Sequence, residues 1–285
     1  MSTMTGINAN TTAQEAQITP ENYAFLQDRI YRDSGIVLDD TKHYLIESRL
    51  LPIVRKEKLG TLNELCARLR AIESGPLRRQ VVEAMTTNET FFFRDVAVFD
   101  TLRDKVLPAL VEKRQSSRTL SIWSAAASSG QEAYSLAILL LEMGLGSWNI
   151  RIFGTDLNTQ ILDQARAGRY LQLEVNRGMP AKYLVKYFQR AGLEWQVKDE
   201  VRRVVEFRTF DLRQTMRGLG PFDLVLCRNV LIYFDVKTKK QILGELRRVL
   251  NPQGLLLLGS AETTLNLDDR FARRVIGPSV FYEAL

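Results

Sequence analysis

The chain has 285 residues, 45% hydrophobic and 25% charged, with a net charge of +6; this is the composition of a globular protein with room for one large domain, or for a small domain beside an α/β domain. No uncharged apolar run approaches the ~18 residues of a membrane span, and no basic-then-apolar leader is present, so neither membrane insertion nor secretion is expected. His43 is the only histidine, which argues against a His-based triad and against most His-ligated metal sites; Cys66 and Cys227 lie far apart without metal-ligand spacing, which points to a reducing, cytoplasmic setting and no bound metal.

Residues 1–17 are rich in Thr, Asn, Ala and Gln and read as a disordered lead-in. Thr19-Pro20 supplies an N-cap and first-turn proline for a helix carrying Tyr23, Leu26 and Ile30, stopped by Gly35. A second helix follows Asp40-Thr41 with Leu45, Ile46 and Leu50 inward, and Pro52 is expected to kink or divide it. Arg49, Arg55, Lys56 and Lys58 leave a basic face there, and a solvated surface is the simplest account of it. Thr61-Leu62-Asn63-Glu64 is a capping box for a third helix with Leu65, Leu69 and Ile72. Gly75-Pro76 opens a fourth with Val81, Val82 and Met85, so that 18–86 reads as an all-helical domain.

Residues 87–94 form an unusual linker: Phe91, Phe92 and Phe93 lie between Asn88 and Arg94, an aromatic anchor with polar Asn88, Thr90 and Arg94 embedded in it. Polar groups buried by such an anchor need partners, and a ligand can supply them. From Asp95 to Arg114 a helix is expected, bent at Pro108. Leu120–Trp123 then reads as a strand running into the small residues Ala125–Gly130 and a helix from Gln131 to Gly144 that is apolar nearly all round. Strand, small-residue turn and helix N-terminus form the layout of a nucleoside pocket, although a tight connection in any α/β domain would look the same. The turn lacks GxGxxG and a phosphate-binding lysine.

A second strand, Asn149–Thr155, ends at Asp156, an acidic residue where doubly wound folds accept ribose hydroxyls. Residues 168–205 break the alternation as an inserted subdomain, with a helix at 180–188 and a hairpin of 193–197 with 201–207. The sheet resumes at Glu206–Leu212, ending at Asp211-Leu212. Pro221–Asn229 is a buried central strand ending in Arg228-Asn229, followed by a helix from Asp235 to Leu250. Leu255–Gly259 is another buried strand, and Val280–Glu283 a last one returning antiparallel at the edge. The fold class is α/β, a doubly wound sheet with its ligand at the carboxyl ends of the strands. Those ends offer ribose acceptors and carboxylates but no phosphate cradle, which suits an adenosine-like ligand such as S-adenosylmethionine (SAM), with Glu132 near its ammonium.

Taken together, TTNETFFFR (86–94), IWSAAASSGQEAYS (122–135), IFGTDLN (152–158) and FDLVLCRNVLIYF (222–234) resemble the CheR chemotaxis receptor methyltransferases, over nearly the whole chain. The resemblance implies a small all-helical N-terminal domain and a Rossmann-like SAM-dependent methyltransferase domain at 95–285 with an inserted small β-subdomain. It implies cofactor contacts at Asn88, Thr90, Arg94, Ala126, Glu132, Asp156, Asp211, Leu212, Arg228 and Asn229, with S-adenosylhomocysteine (SAH) as product. Arg94 and Tyr233 are implied at the reacting groups. The substrate is then a glutamate on the cytoplasmic helical bundle of methyl-accepting chemoreceptors, and the basic face of Arg49, Arg55, Lys56 and Lys58 becomes a docking surface. Some members grip a receptor pentapeptide through a glycine-rich β-loop; here the corresponding stretch, QRAGLEWQVKDEVRR (189–203), is short and has one glycine, so pentapeptide independence is expected. A monomer without nucleic-acid partners is expected. Two other classes fit the residues less well: a SAM-dependent methyltransferase of RNA or small molecules, and a non-catalytic SAM-sensing adaptor. A dehydrogenase is a distant third, because a glycine-poor turn serves a dinucleotide badly.

Overall fold

The computed structural model describes residues 17–71, 75–145 and 147–285. The proposed lead-in up to residue 16 and the inward position given to Ile72 lie outside the described residues. By its contacts the chain divides into two units, Met1–Thr87 and Asn88–Leu285.

The first unit contains α1 (Pro20–Ser34), α2 (His43–Lys56), α3 (Leu62–Arg70) and α4 (Pro76–Met85). Thr19 Oγ1 accepts the Asn22 N–H at the start of α1, and Gly35 ends the helix at φ 75°. At α3, Thr61 Oγ1 accepts from Glu64 N while the Glu64 carboxylate reaches back to Gly60 N, 3.0 Å away. The core is built from residues such as Leu26, Ile30, Ile46, Leu50, Leu65 and Val81. Pro52 does not divide α2, which continues through it to Lys56. Pro52 is exposed, so water can take up the Ser48 carbonyl that loses its partner. His43 is exposed and stacks on Tyr23 at 3.6 Å.

The second unit opens with α5 (Val96–Thr101), a π-helical turn (Leu102–Val106) and α6 (Leu107–Lys113). Pro108 has no N–H to return to the preceding turn, and the wider π turn ends two residues before it, at Val106. Then follow β1 (Thr119–Ala125), α7 (Gln131–Glu142), β2 (Asn149–Asp156), α8 (Thr159–Ala167), β3 (Arg169–Leu171), α9 (Gln172–Asn176), α10 (Ala181–Tyr187), β4 (Phe188–Ala191), β5 (Glu194–Val197), α11 (Asp199–Arg202) and β6 (Val205–Thr209). The chain closes with β7 (Phe222–Cys227), a 3-10 turn (Leu231–Tyr233), α12 (Val236–Val249), β8 (Leu250–Leu258), β9 (Phe271–Ile276) and β10 (Ser279–Ala284).

The main sheet has the order β6-β2-β1-β7-β8-β10-β9. Its first five strands are parallel, and β10 runs antiparallel to both β8 and β9. Register makes their carboxyl ends level: Ala125 lies opposite both Thr155 and Cys227, Asp156 opposite Thr209, and Cys227 opposite Leu258. Side chains alternate between two apolar layers, as strand geometry requires. Ile122, Ile152, Leu224, Leu226 and Leu257 join α7 on one face; Trp123, Phe153, Val225, Leu256 and Leu258 join α12 on the other.

Three strand expectations need correcting. β6 ends at Thr209, so Asp211-Leu212 lies beyond the strand and not at its end. The inserted hairpin is β4 with β5, completed by β3 into a separate three-stranded sheet, while Val205–Thr209 belongs to the main sheet beside β2. The last strand is not at the edge: β9, which the sequence reading missed, covers it. Val275 and both arginines of β9 are exposed, so this strand carries no strong apolar alternation to read. Among the described residues, no helix is long and apolar enough to cross a membrane.

Candidate functional site

Past Ala125 the backbone leaves the sheet through an unusual turn. Ala126, Ser128 and Gly130 all have positive φ, at 64°, 51° and 92°. Such angles cost a non-glycine residue on the order of 1 kcal/mol or more and persist only where surroundings impose them. Asp156 imposes this one: its Oδ2 accepts the Ser128 N–H at 2.9 Å and its Oδ1 the Asn158 N–H at 3.0 Å. The residue is 8% exposed, and burial pushes its carboxyl above the ordinary aspartate value despite these hydrogen bonds. The other side of the turn is also tied down. Ser128 Oγ donates to the Asn88 carbonyl at 2.8 Å, and Tyr170 OH to the Ser129 carbonyl at 2.6 Å.

The linker is fastened into this unit by its aromatics. Phe92 is fully buried, edge-on to Tyr170 and Phe188 at 5.0 and 5.5 Å. Phe93 stacks on Tyr183, and its N–H donates to Ser135 Oγ on α7 at 3.0 Å. Gly178 lies so close that a Cβ there would be 2.0 Å from the Phe92 carbonyl oxygen, a contact only glycine permits. Phe91 is half-buried beneath the Arg177 guanidinium. Arg94 is half-buried and donates from Nη1 to the Glu89 carbonyl at 3.0 Å, and Thr90 is also half-buried.

Arg228, one residue beyond β7, joins the parts. Its Nη1 donates to Glu132 Oε2 at 3.0 Å, and its Nη2 to the Arg94 carbonyl at 3.3 Å and to the Asp95 carboxylate. Glu132 Oε1 accepts from Ser124 Oγ at 2.7 Å. One guanidinium thus connects the first turn of α7, the end of β7 and the linker backbone. Its side chain is only 3% exposed, so its position depends on these partners.

Asn229 follows at φ 58°, with Oδ1 buried and without a hydrogen-bond partner among the described residues. Tyr233 is half-buried in the 3-10 turn. The loop between them is gathered by Glu262, which accepts four backbone N–H groups, from Asn229, Val230, Ile232 and Gly259.

The remaining expected residues are distributed differently. Asp211 is engaged by Arg213, whose Nη2 is 2.6 Å from Oδ2, and Leu212 is buried in the layer on the α12 face. In the first unit, Arg49 does not belong to the basic face: it donates to the carbonyls of Met85 and Thr86 and to Thr87 Oγ1, closing the end of α4. Arg55, Lys56 and Lys58 are exposed. Sequence reasoning placed Ser124 at the strand end but missed Asp95 and Glu262. The last carries only a weak signal, an acidic residue soon after a strand-ending glycine.

Level strand ends, a strained small-residue turn and a buried aspartate beside it define a Rossmann-like domain with its site at the carboxyl ends of the strands. The chain belongs to the CheR methyltransferase family. Residues 21–86 match its all-alpha domain and residues 88–276 its SAM binding domain. It is 41% identical over 272 residues to chemotaxis protein methyltransferase 1 of Vibrio cholerae, covering 90% of this chain and 98% of that one. It is 41% identical over 256 residues to chemotaxis protein methyltransferase 1 of Pseudomonas aeruginosa, covering 88% and 93%. The protein is a SAM-dependent methyltransferase. Its strand ends suit that cofactor: Asp156 can accept hydroxyls, Asn229 Oδ1 is an acceptor with no donor among the described residues, and the turn holds no lysine for a phosphate.

Proposed function

We propose that this protein methylates glutamate side chains on the cytoplasmic helical bundle of chemoreceptors, giving methyl esters. What supports the reading most is the convergence, at one end of the sheet, of Asp156, Glu132 and the Arg94–Asp95 backbone, the last two joined by Arg228. In this reading Asp156 accepts the ribose hydroxyls. Asn88, Thr90, Ala126 and Asn229 line the cofactor, Leu212 lies near the adenine, and Glu132 and Arg228 shape the methionine end. Asp211 serves through its backbone, because its carboxylate is engaged by Arg213. Residues 18–86 act as the helical domain and 168–205 as an inserted subdomain.

SAM supplies an electrophilic methyl group. The acceptor glutamate, with an ordinary pKa of ~4.3, is already a nucleophilic carboxylate at neutral pH. No general base is required, and a chain with one histidine outside this unit has what the reaction needs. The protein's task is to place the carboxylate in line with the methyl group, at roughly 3–3.5 Å, and to exclude water. Arg94 and Tyr233 orient the acceptor. Arg55, Lys56 and Lys58 dock the acidic bundle, and Arg49 supports their helix end.

The test is incubation with methyl-labelled SAM and receptor cytoplasmic fragments. Label released as methanol by mild base is the expected result. Base-stable label would point to another acceptor, and SAH binding without incorporation would leave an adaptor; either overturns the proposal. The hairpin β4–β5 turns through only Gly192-Leu193. We therefore propose that receptor docking needs no C-terminal pentapeptide. Titration with such a peptide should show no saturable binding in the micromolar range, and a micromolar dissociation constant would refute it.

A further inference from the structure

Glu262 lies outside every motif discussed so far, beyond β8. Its Oε2 accepts from Gly259 N at 2.7 Å and Asn229 N at 2.8 Å; its Oε1 accepts from Val230 N at 2.9 Å and Ile232 N at 3.3 Å. No cation is paired with it among the described residues. Among the described residues, backbone amides from two adjacent strand ends therefore supply its side-chain hydrogen bonds, and charge-assisted bonds of this kind are stronger and shorter than neutral ones. The close approach is independently visible at Gly259. A Cβ there would lie 2.7 Å from Glu262 Oε2, 2.8 Å from Asn229 Nδ2 and 2.9 Å from Asn229 N. Asn229 is thus seated on a bare glycine backbone, with its N–H on the carboxylate, its φ at 58° and its Oδ1 without a hydrogen-bond partner among the described residues.

We infer that Glu262 is a positioning residue for methyl transfer. It fixes the β7–α12 loop so that Asn229 meets the cofactor and Tyr233, four residues on, meets the acceptor. The inference rests on the roles proposed above for those two residues. Displacement of a reacting group's support by about 1 Å can cost about a hundredfold in rate. Glutamine in place of Glu262 retains one carbonyl oxygen for two of the four N–H groups but turns an NH2 group toward the others. Alanine abandons all four.

The experiment compares wild type with Glu262→Gln, Glu262→Ala and Gly259→Ala in the full chain. SAH affinity is measured by calorimetry, and kcat and KM for transfer are corrected for the folded fraction at the assay temperature. Amide hydrogen exchange is followed at 229–232. The expected order is wild type, then Glu262→Gln down about tenfold in kcat/KM, then Glu262→Ala and Gly259→Ala down about a hundredfold. Weakened SAH binding and faster exchange confined to 229–232 should accompany the losses. Wild-type kcat/KM and SAH affinity per folded molecule in Glu262→Ala would overturn the inference, as would uniform loosening of the whole unit. Should wild type fail to methylate receptor fragments, the proposed function falls, and Glu262 is still judged by SAH affinity and local exchange. Should Glu262→Ala not fold, Glu262→Gln and Gly259→Ala decide by the same criteria.

Discussion

Replacing Arg228 by alanine is expected to destabilise the methyltransferase unit by about 3–5 kcal/mol and to abolish measurable SAH binding. The Arg228 side chain is 3% exposed and that of Glu132 12%, so removing one partner leaves a largely buried anion whose remaining partner among the described residues is the Ser124 hydroxyl. The same change releases Asp95 and the Arg94 carbonyl. Since Phe93 and Asp95 both sit at positive φ, 51° and 66°, the freed segment has strain to relieve and every reason to move. Domains of this kind are stable by about 5–15 kcal/mol, so the loss is a large share of the total and should lower the melting temperature by roughly 10 °C. Lysine at this position restores a charge but not a fork able to reach Glu132, Asp95 and a carbonyl at once, so it should recover only part of the stability. Thermal unfolding with and without SAH checks both claims. An alanine variant that melts within about a degree of wild type would mean that the three-way clamp contributes nothing.

Asp156→Ala should weaken SAH binding by roughly 3 kcal/mol, a hundredfold or more. Two effects combine. The ribose hydroxyls lose a charged acceptor, and the Ser128 and Asn158 N–H groups lose theirs, so that the turn carrying Ala126 and Ser128 is no longer held at positive φ. The pH dependence follows from the raised carboxyl pKa. A raised folded-state value favours the neutral form. The stability contributed is therefore fully present below the ordinary value of 3.8 and is lost as pH rises through the higher folded value. At neutral pH the anion is retained at a net cost to the fold. Ligand binding runs the other way, because the ionised carboxylate accepts both hydroxyls and the protonated one gives up an acceptor. SAH affinity should accordingly fall as pH is lowered through a value above 3.8. Asp156→Asn should bind weakly at pH 7 and lack that acid limb. Identical acid limbs in wild type and Asp156→Asn would show that another group controls it.

The elements around the site are visible in the residues themselves. Leu120–Trp123, the small residues to Gly130 and the apolar helix after Gln131 announce strand, turn and helix. Asp156 ends its strand, and Arg228-Asn229 directly follow theirs, where apolar runs stop. These are local signals, governed by side-chain period, caps and backbone freedom within a few residues. Pro52 does not divide its helix, for the complementary reason. Its local penalty is real, but an exposed helix face and a packed core on the other side outweigh it.

The sequence by itself determined the four helices of the first unit and the alternation of β1, α7, β2 and α8, with Asp156 closing β2; it left β9 and the pairing of the inserted strands undetermined. Tertiary structure alone decided what those residues do with their polar atoms. Arg228 and Glu132 are 96 positions apart, and only the pairing of β1 with β7 brings them together. Arg49 looked like part of a docking face until the end of α4 fell within its reach. Glu262 had no visible role until β7 and β8 placed Cys227 beside Leu258 and turned four N–H groups toward one carboxylate. The physical reason is the same in each case. A local pattern fixes where a side chain leaves the backbone, whereas its partner, its burial and hence its energy depend on which distant strand ends the sheet order makes neighbours.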